Sequence, residues 1–163
     1  MAADRATISV SASLLPDSLK AAISGTTVYD INDNGSANKW FYVRMQTDGT
    51  TARDLITEDG VGYLNETITY TDTIGLTVEA TDDCVFLVIK NTATTDGSTA
   101  STANLYVGLS GGDLGVGSGT IVIEPNEVWF ARLRGEALSD INAASSSGDL
   151  TYDVYAIAED GGF

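Results

Sequence analysis

The chain has 163 residues, 43% of them apolar, with 23 acids against 8 bases, a formal charge of −15 and no histidine. Without imidazole the usual neutral-pH general base and the commonest metal ligand are both missing, which excludes Ser-His-Asp and Cys-His nucleophile systems in their ordinary forms. The acid excess argues against nucleic acid as a partner, because phosphate backbones call for clustered Lys and Arg, and the apolar fraction argues against disorder.

In chain order, residues 1–13 read as an N-terminal arm or edge strand. Ile8, Val10 and Ala12 alternate there with Thr7, Ser9 and Ser11, the period of a strand with one face buried. No apolar h-region follows Met1, so no signal peptide is expected. Residues 14–163 are predicted to form a single β-sandwich domain. Within it, residues 16–23 suit two turns of helix, with Pro16 in the first turn and Gly25 as the stop. Phe41, Val43 and Met45 alternate with Trp40, Tyr42 and Arg44, and Leu76, Val78 and Ala80 alternate with Thr77 and Glu79. Residues 85–89, 105–109, 121–123 and 128–133 are apolar at consecutive positions, as central strands or strands with a covered second face would be. Tyr152, Val154 and Ala156 restore the alternation near the end. No apolar stretch approaches the roughly 20 residues of a membrane helix, so no membrane partner is expected.

Asn34-Gly35, Asp48-Gly49, Asp59-Gly60 and Asp96-Gly97 supply turns, and Pro125-Asn126 marks a tight hairpin. Residues 91–104 form a Thr/Ser/Ala/Gly tract, 111–119 a glycine-rich one and 143–148 a serine-rich link; all three read as loose. The fold class that follows is all-β, an antiparallel β-sandwich of jelly-roll-like design with one short N-terminal helix.

The chemical motifs are weak. Gly108-Leu109-Ser110-Gly111-Gly112 has the letters of a nucleophile elbow, but a glycine-rich loop replaces the required helix and no histidine exists to partner Ser110. Asp30-Ile31-Asn32-Asp33-Asn34-Gly35 copies the first half of a calcium loop, making Asp30, Asn32 and Asn34 candidate ligands. Phe41 stands where the bidentate glutamate belongs, so an Asx/Gly turn between strands is the preferred reading. Glu58-Asp59 and Asp82-Asp83 read as solvated loop acids, and Asn65-Glu66-Thr67 is a glycosylation sequon without a secretory context. Cys84, within an apolar run, reads as a buried inert thiol. No cofactor and no enzymatic activity are expected. Trp40-Phe41-Tyr42 and Trp129-Phe130 are the features with binding potential, since consecutive aromatics in a strand face both sides of a sheet.

Residues 85–92 (Val-Phe-Leu-Val-Ile-Lys-Asn-Thr), 105–109 (Leu-Tyr-Val-Gly-Leu) and 123–133 (Ile-Glu-Pro-Asn-Glu-Val-Trp-Phe-Ala-Arg-Leu) resemble structural proteins of tailed bacteriophages, in particular small head-decoration (cement) proteins. The resemblance spans about residues 40 to 133 and carries no diagnostic motif. It implies a β-rich virion protein on the capsid exterior, made in the host cytoplasm, commonly a homotrimer, with the major capsid protein as partner. Contacts are then expected from Arg5, Ile8 and Val10 in the N-terminal segment and from Trp40 and Tyr42. The alternative is a glycan- or receptor-binding module, or a structural part of a phage tail or fibre.

Overall fold

β-Branched and aromatic residues in alternation favour pleated backbone over helix, and strands account for nearly all regular structure in the described residues. The computed structural model describes residues 4–14, 21–31, 39–47, 49–55, 81–109, 114 and 120–159. The sole helical element among them is one 3-10 turn, Leu138–Asp140. The chain divides into two units, Met1–Asn38 and Lys39–Phe163.

The first unit is a two-stranded antiparallel ribbon of β1 (Asp4–Leu14) and β2 (Ala21–Ile31), each 11 residues long. Its register runs without a break from Asp4 opposite Ile31 to Leu14 opposite Ala21. The Ser9 and Thr26 hydroxyls, opposite one another, hydrogen-bond at 3.3 Å. The helix expected over residues 16–23 is not there: Ala21, Ala22 and Ile23 belong to β2, and residues 15–20 lie outside the described residues. The physical reason is length. Two helical turns barely recover the cost of nucleation, whereas extending the Thr26-Thr27-Val28-Tyr29 strand back to Ala21 completes the pairing with β1.

The second unit contains β3 (Lys39–Gln46), β4 (Arg53–Asp54), β5 (Asp83–Asn91), β6 (Leu105–Gly108), β7 (Ile121–Ile123), β8 (Val128–Ala137), β9 (Asn142–Ser145) and β10 (Thr151–Glu159). They form two four-stranded sheets, ordered β3-β10-β5-β8 and β4-β9-β6-β7, antiparallel throughout. The pairing is nested: β3 lies beside β10, β4 beside β9, β5 beside β8 and β6 beside β7. The all-β expectation therefore holds. Glu124 to Glu127 closes the tight turn expected at Pro125-Asn126, with the Glu127 N–H donating to the Glu124 carbonyl at 3.0 Å and Asn126 at φ 65°. That turn carries the chain from one sheet to the other, since β7 pairs with β6 and β8 with β5.

One apolar core draws on both sheets. Val43, Met45, Leu87, Ile89, Tyr152, Val154 and Ala156 come from the first, and Leu105, Val107, Ile123 and Ala143 from the second. Alternation places them: in β3, Val43 and Met45 are buried while Tyr42 and Arg44 are exposed. A bulge between Cys84 and Phe86 keeps this phase along β5, and Gly135 (φ 75°) absorbs the matching irregularity in β8, where a Cβ would be strained.

The tract 91–104, expected to be loose, is pinned. Buried Asn91 donates through Nδ2 to the carbonyls of Ala103 (3.0 Å) and Ile123 (3.1 Å), and its Oδ1 accepts from the Ala93 N–H (2.8 Å), which holds Ala93 at φ 56°. The Thr92, Thr94 and Thr151 hydroxyls form a second knot, 2.5 to 2.9 Å apart. Asp96 accepts from the Ser98 and Thr99 amides and hydroxyls at 2.6 to 2.9 Å.

Candidate interaction surface

The outward face of the β3-β10-β5-β8 sheet follows from the same alternation that builds the core. Cross-strand register sets Tyr42, Tyr155, Val88 and Phe130 in one row across the four strands. The next row is Arg44, Asp153, Lys90 and Val128, and the row on the other side brings Ile157, Phe86 and Arg132 into line with the backbone of Trp40. Directly opposed residues on one face are close enough to act as pairs.

Two such pairs are well formed. Arg44 grips Asp153 through both guanidinium nitrogens, Nε to Oδ1 at 2.6 Å and the second nitrogen to Oδ2 at 3.0 Å. The hydrogen bond and charge of Asp153 raise the Arg44 pKa further above its ordinary value. Phe86 and Phe130 stack with centroids 6.4 Å apart at 28°, within the range where ring pairs add to simple burial.

The face divides by exposure. Phe86 and Ile157 are buried although they point away from the core cluster. Tyr42 (53%), Val128 (47%) and Phe130 (45%) stand open, beside exposed Arg44, Lys90 and Arg132. Half-buried Tyr155, whose pKa burial raises, fills the centre. The described surface thus offers an aromatic and aliphatic strip rimmed by Lys90, Arg132 and the Arg44–Asp153 ion pair on a chain of charge −15. It has the character of a contact surface: apolar area for burial, with Arg and Tyr as anchors.

The predicted residues are distributed over both units. Tyr42 is exposed on β3, and Trp40 lies on β3 with its backbone opposite Ile157. Arg5 and Val10 lie on β1, opposite Asp30 and Gly25 in the backbone register, and Ile8 is half-buried on β1. Of the candidate calcium ligands, Asp30 lies in β2, while Asn32 and Asn34 lie outside the described residues. Ser110, Glu58, Asp59 and Asn65 also lie outside them. Asp82 is buried with its carbonyl accepting from the Leu138 N–H at 2.9 Å, so it is not a solvated loop acid.

Cys84 is buried as expected; desolvation pushes its thiol up to about 12 and its Sγ donates to the Phe86 carbonyl. A thiol so placed stays protonated at neutral pH and is no nucleophile. Trp129 turns inward and packs against the core, which removes it from any stacking platform.

The aromatic pair Trp129-Phe130 stands out in the sequence without showing which of the two is exposed, and Val128 gives no aromatic signal; the structure exposes Phe130 and Val128. The usable signal was phase: with Leu133 committed to the core, Trp129 and Ala131 share its face, and Val128, Phe130 and Arg132 take the other. No family model matches the chain, no curated protein matches it and no solved structure matches it.

Proposed function

We propose that this protein is a structural component of a virion that decorates the outer surface of a capsid and stabilises contacts between capsomers, with β3 to β10 folded as a jelly-roll sandwich. The nested strand order carries this reading. First-with-last, second-with-seventh, third-with-sixth and fourth-with-fifth is the pairing of one long antiparallel ribbon. Rolling that ribbon so that β10 meets β5 and β9 meets β6 gives the two sheets of a jelly roll. A single core drawn from both sheets supports face-to-face packing.

Jelly rolls recur in viral capsid proteins and in lectins, and a fold does not decide function by itself. Three further observations favour the capsid. The resemblance of residues 40–133 to phage decoration proteins points to a head. The chain carries an open apolar strip on a strongly acidic body, suited to adhesion between protein surfaces with mutual repulsion elsewhere. The β1–β2 ribbon is a unit of its own, suited to service as a docking arm. The partner is the major capsid protein, the protomers assemble as a symmetric homotrimer, and each specific contact covers about 1,000 Å² or more.

Imaging of the particle that carries this chain tests the reading. Density for the domain on the outside of the head, lost when the chain is omitted and restored when it is added back, is the expected result. Finding the chain missing from heads would overturn it. Exposed Tyr42 and Phe130 favour a glycan- or receptor-binding module as the second reading. Retention on a glycan array that disappears in Tyr42→Ala with the fold intact would select it.

A further inference from the structure

We infer that the β1–β2 ribbon of one copy adds to the free edge of β8 in a second copy, so that the chain associates head to tail through its two units. The inference stands on the strands themselves and holds whether or not the protein belongs to a virion.

Two incomplete structures make the argument. A two-stranded ribbon is marginal in water, and three strands with a covered apolar face are needed for stability. Among the described residues, β1 and β2 pair only with each other. Residues 24 to 28 of β2 are all exposed. Five consecutive exposed residues in a strand mean that neither face is covered there, and Val28 stands 51% open among them.

The second unit has the reciprocal defect. β8 ends its sheet order, with no strand beyond it among the described residues. It runs for 10 residues, the longest described strand of the unit, against 11 in each strand of the ribbon. Val128 and Phe130 are open along it. Natural proteins shield such edges with charged residues, proline, bulges or a covering element; β8 has Arg132, Arg134, Glu136 and the Gly135 irregularity in its second half, but none of these devices from Val128 to Ala131. Strand addition would supply the missing backbone partners and cover both side chains.

Charge decides between possible contacts of one copy with another. Lys39–Phe163 holds nineteen acids and six bases, a net −13, so two such bodies repel. Met1–Asn38 holds four acids and two bases, a net −2. β8 itself carries Arg132 and Arg134 against Glu136, a net +1. The ribbon is the least repelled part of a second copy, and β8, with a net charge of +1 in its sequence, does not repel it. Because the two surfaces differ, the contact is heterologous and closes into a ring when the rotation allows.

The test uses the full chain and two edge substitutions, Val28→Lys on the ribbon and Phe130→Lys on β8, both at exposed sites. Light scattering is expected to give a multiple of 17.0 kDa for the unchanged chain and 17.0 kDa for each variant alone. Mixing the variants restores one ribbon–β8 contact, so a 1:1 pair of twice that mass is expected. Hydrogen exchange at β8 amides should slow on mixing. An unchanged chain that stays at 17.0 kDa up to about 100 μM, variants that still associate alone, or a mixture that remains monomeric while the unchanged chain does not would each overturn the inference. The last outcome would identify a contact between like surfaces instead.

Discussion

The β1–β2 ribbon and the β5–β10 pair use the same antiparallel backbone, yet they are held by different things. In β5 and β10, Leu87, Ile89, Tyr152, Val154 and Ala156 are buried to within 1%. In the ribbon, Thr7, Ser9 and residues 24–28 are exposed and Ile8 is half-buried. Ordering one residue costs about 1–2 kcal/mol, and a backbone hydrogen bond returns only about 1 kcal/mol net. Pairing alone therefore leaves a strand near balance, and burial at ~0.8 kcal/mol per methylene decides whether it persists. The lesson is that strand length says little about strand stability: the two longest described strands include the exposed run 24–28.

Substitution on each side measures the difference. Leu87→Ala removes a fully buried side chain and should cost about 2–5 kcal/mol in urea denaturation. Ile8→Ala in the ribbon should cost less, about 1 kcal/mol, since its side chain is only half-buried; equal losses would break the contrast. Asn91→Leu comes next. It strips partners from two buried carbonyls and from the Ala93 amide, for about 1–3 kcal/mol, and amide exchange across residues 93–101 should quicken while β10 stays protected. Arg44→Met should cost at most about 1 kcal/mol and lose that increment in high salt, because the Arg44–Asp153 pair sits at the surface.

The smallest effect concerns Asp96. Amide and hydroxyl donors from Thr99 and Ser98 hold its carboxyl well below the usual carboxylate range. A carboxylate with its pKa depressed on folding contributes above the unfolded value of about 3.9 and loses that contribution as pH falls below it. The 96–99 turn should thus be unchanged from pH 8 to 5 and open only in strong acid. An NMR titration of the Asp96 carboxyl checks this, and a midpoint in the ordinary range would show that the donors do not hold it.

Much of the β architecture was legible because half-buried strands write their period into the sequence. β1, β3, β5, β6, β7, β8 and β10 all fall on runs that alternate or stay apolar. Three strands were not legible, of which β4 (Arg53–Asp54), two residues long, is too short to show a period. The start of β2 carries Ala21 and Ala22, good helix formers whose pairing with Ser13 and Leu14 is set by register and not by propensity. β9, read as part of a serine-rich link, is a strand whose Ala143, Ala144 and Ser145 are buried; small side chains give almost no hydropathy contrast.

The 91–104 tract failed for a different reason. Its anchors, Thr151 and Gln46, are about 50 or more residues away in sequence, and composition cannot show a hydroxyl its distant partner. On the candidate surface, Tyr42 was legible from its place beside Phe41 and Val43. The pair Trp129-Phe130 was legible as a candidate, but only the phase of β8 separates the inward Trp129 from the exposed Phe130.

The nested order also has a kinetic side. β10, last in chain order, occupies the interior of its sheet between β3 and β5. Among the described strands β3 pairs with β10 alone, and these first and last pieces of the body must meet across more than a hundred intervening positions. Loop closure on that scale makes folding slow. During that wait the half-built sheet presents β3 and β5 as sticky margins, so yield during synthesis should depend on chaperone supply and temperature more than on the final thermodynamic stability.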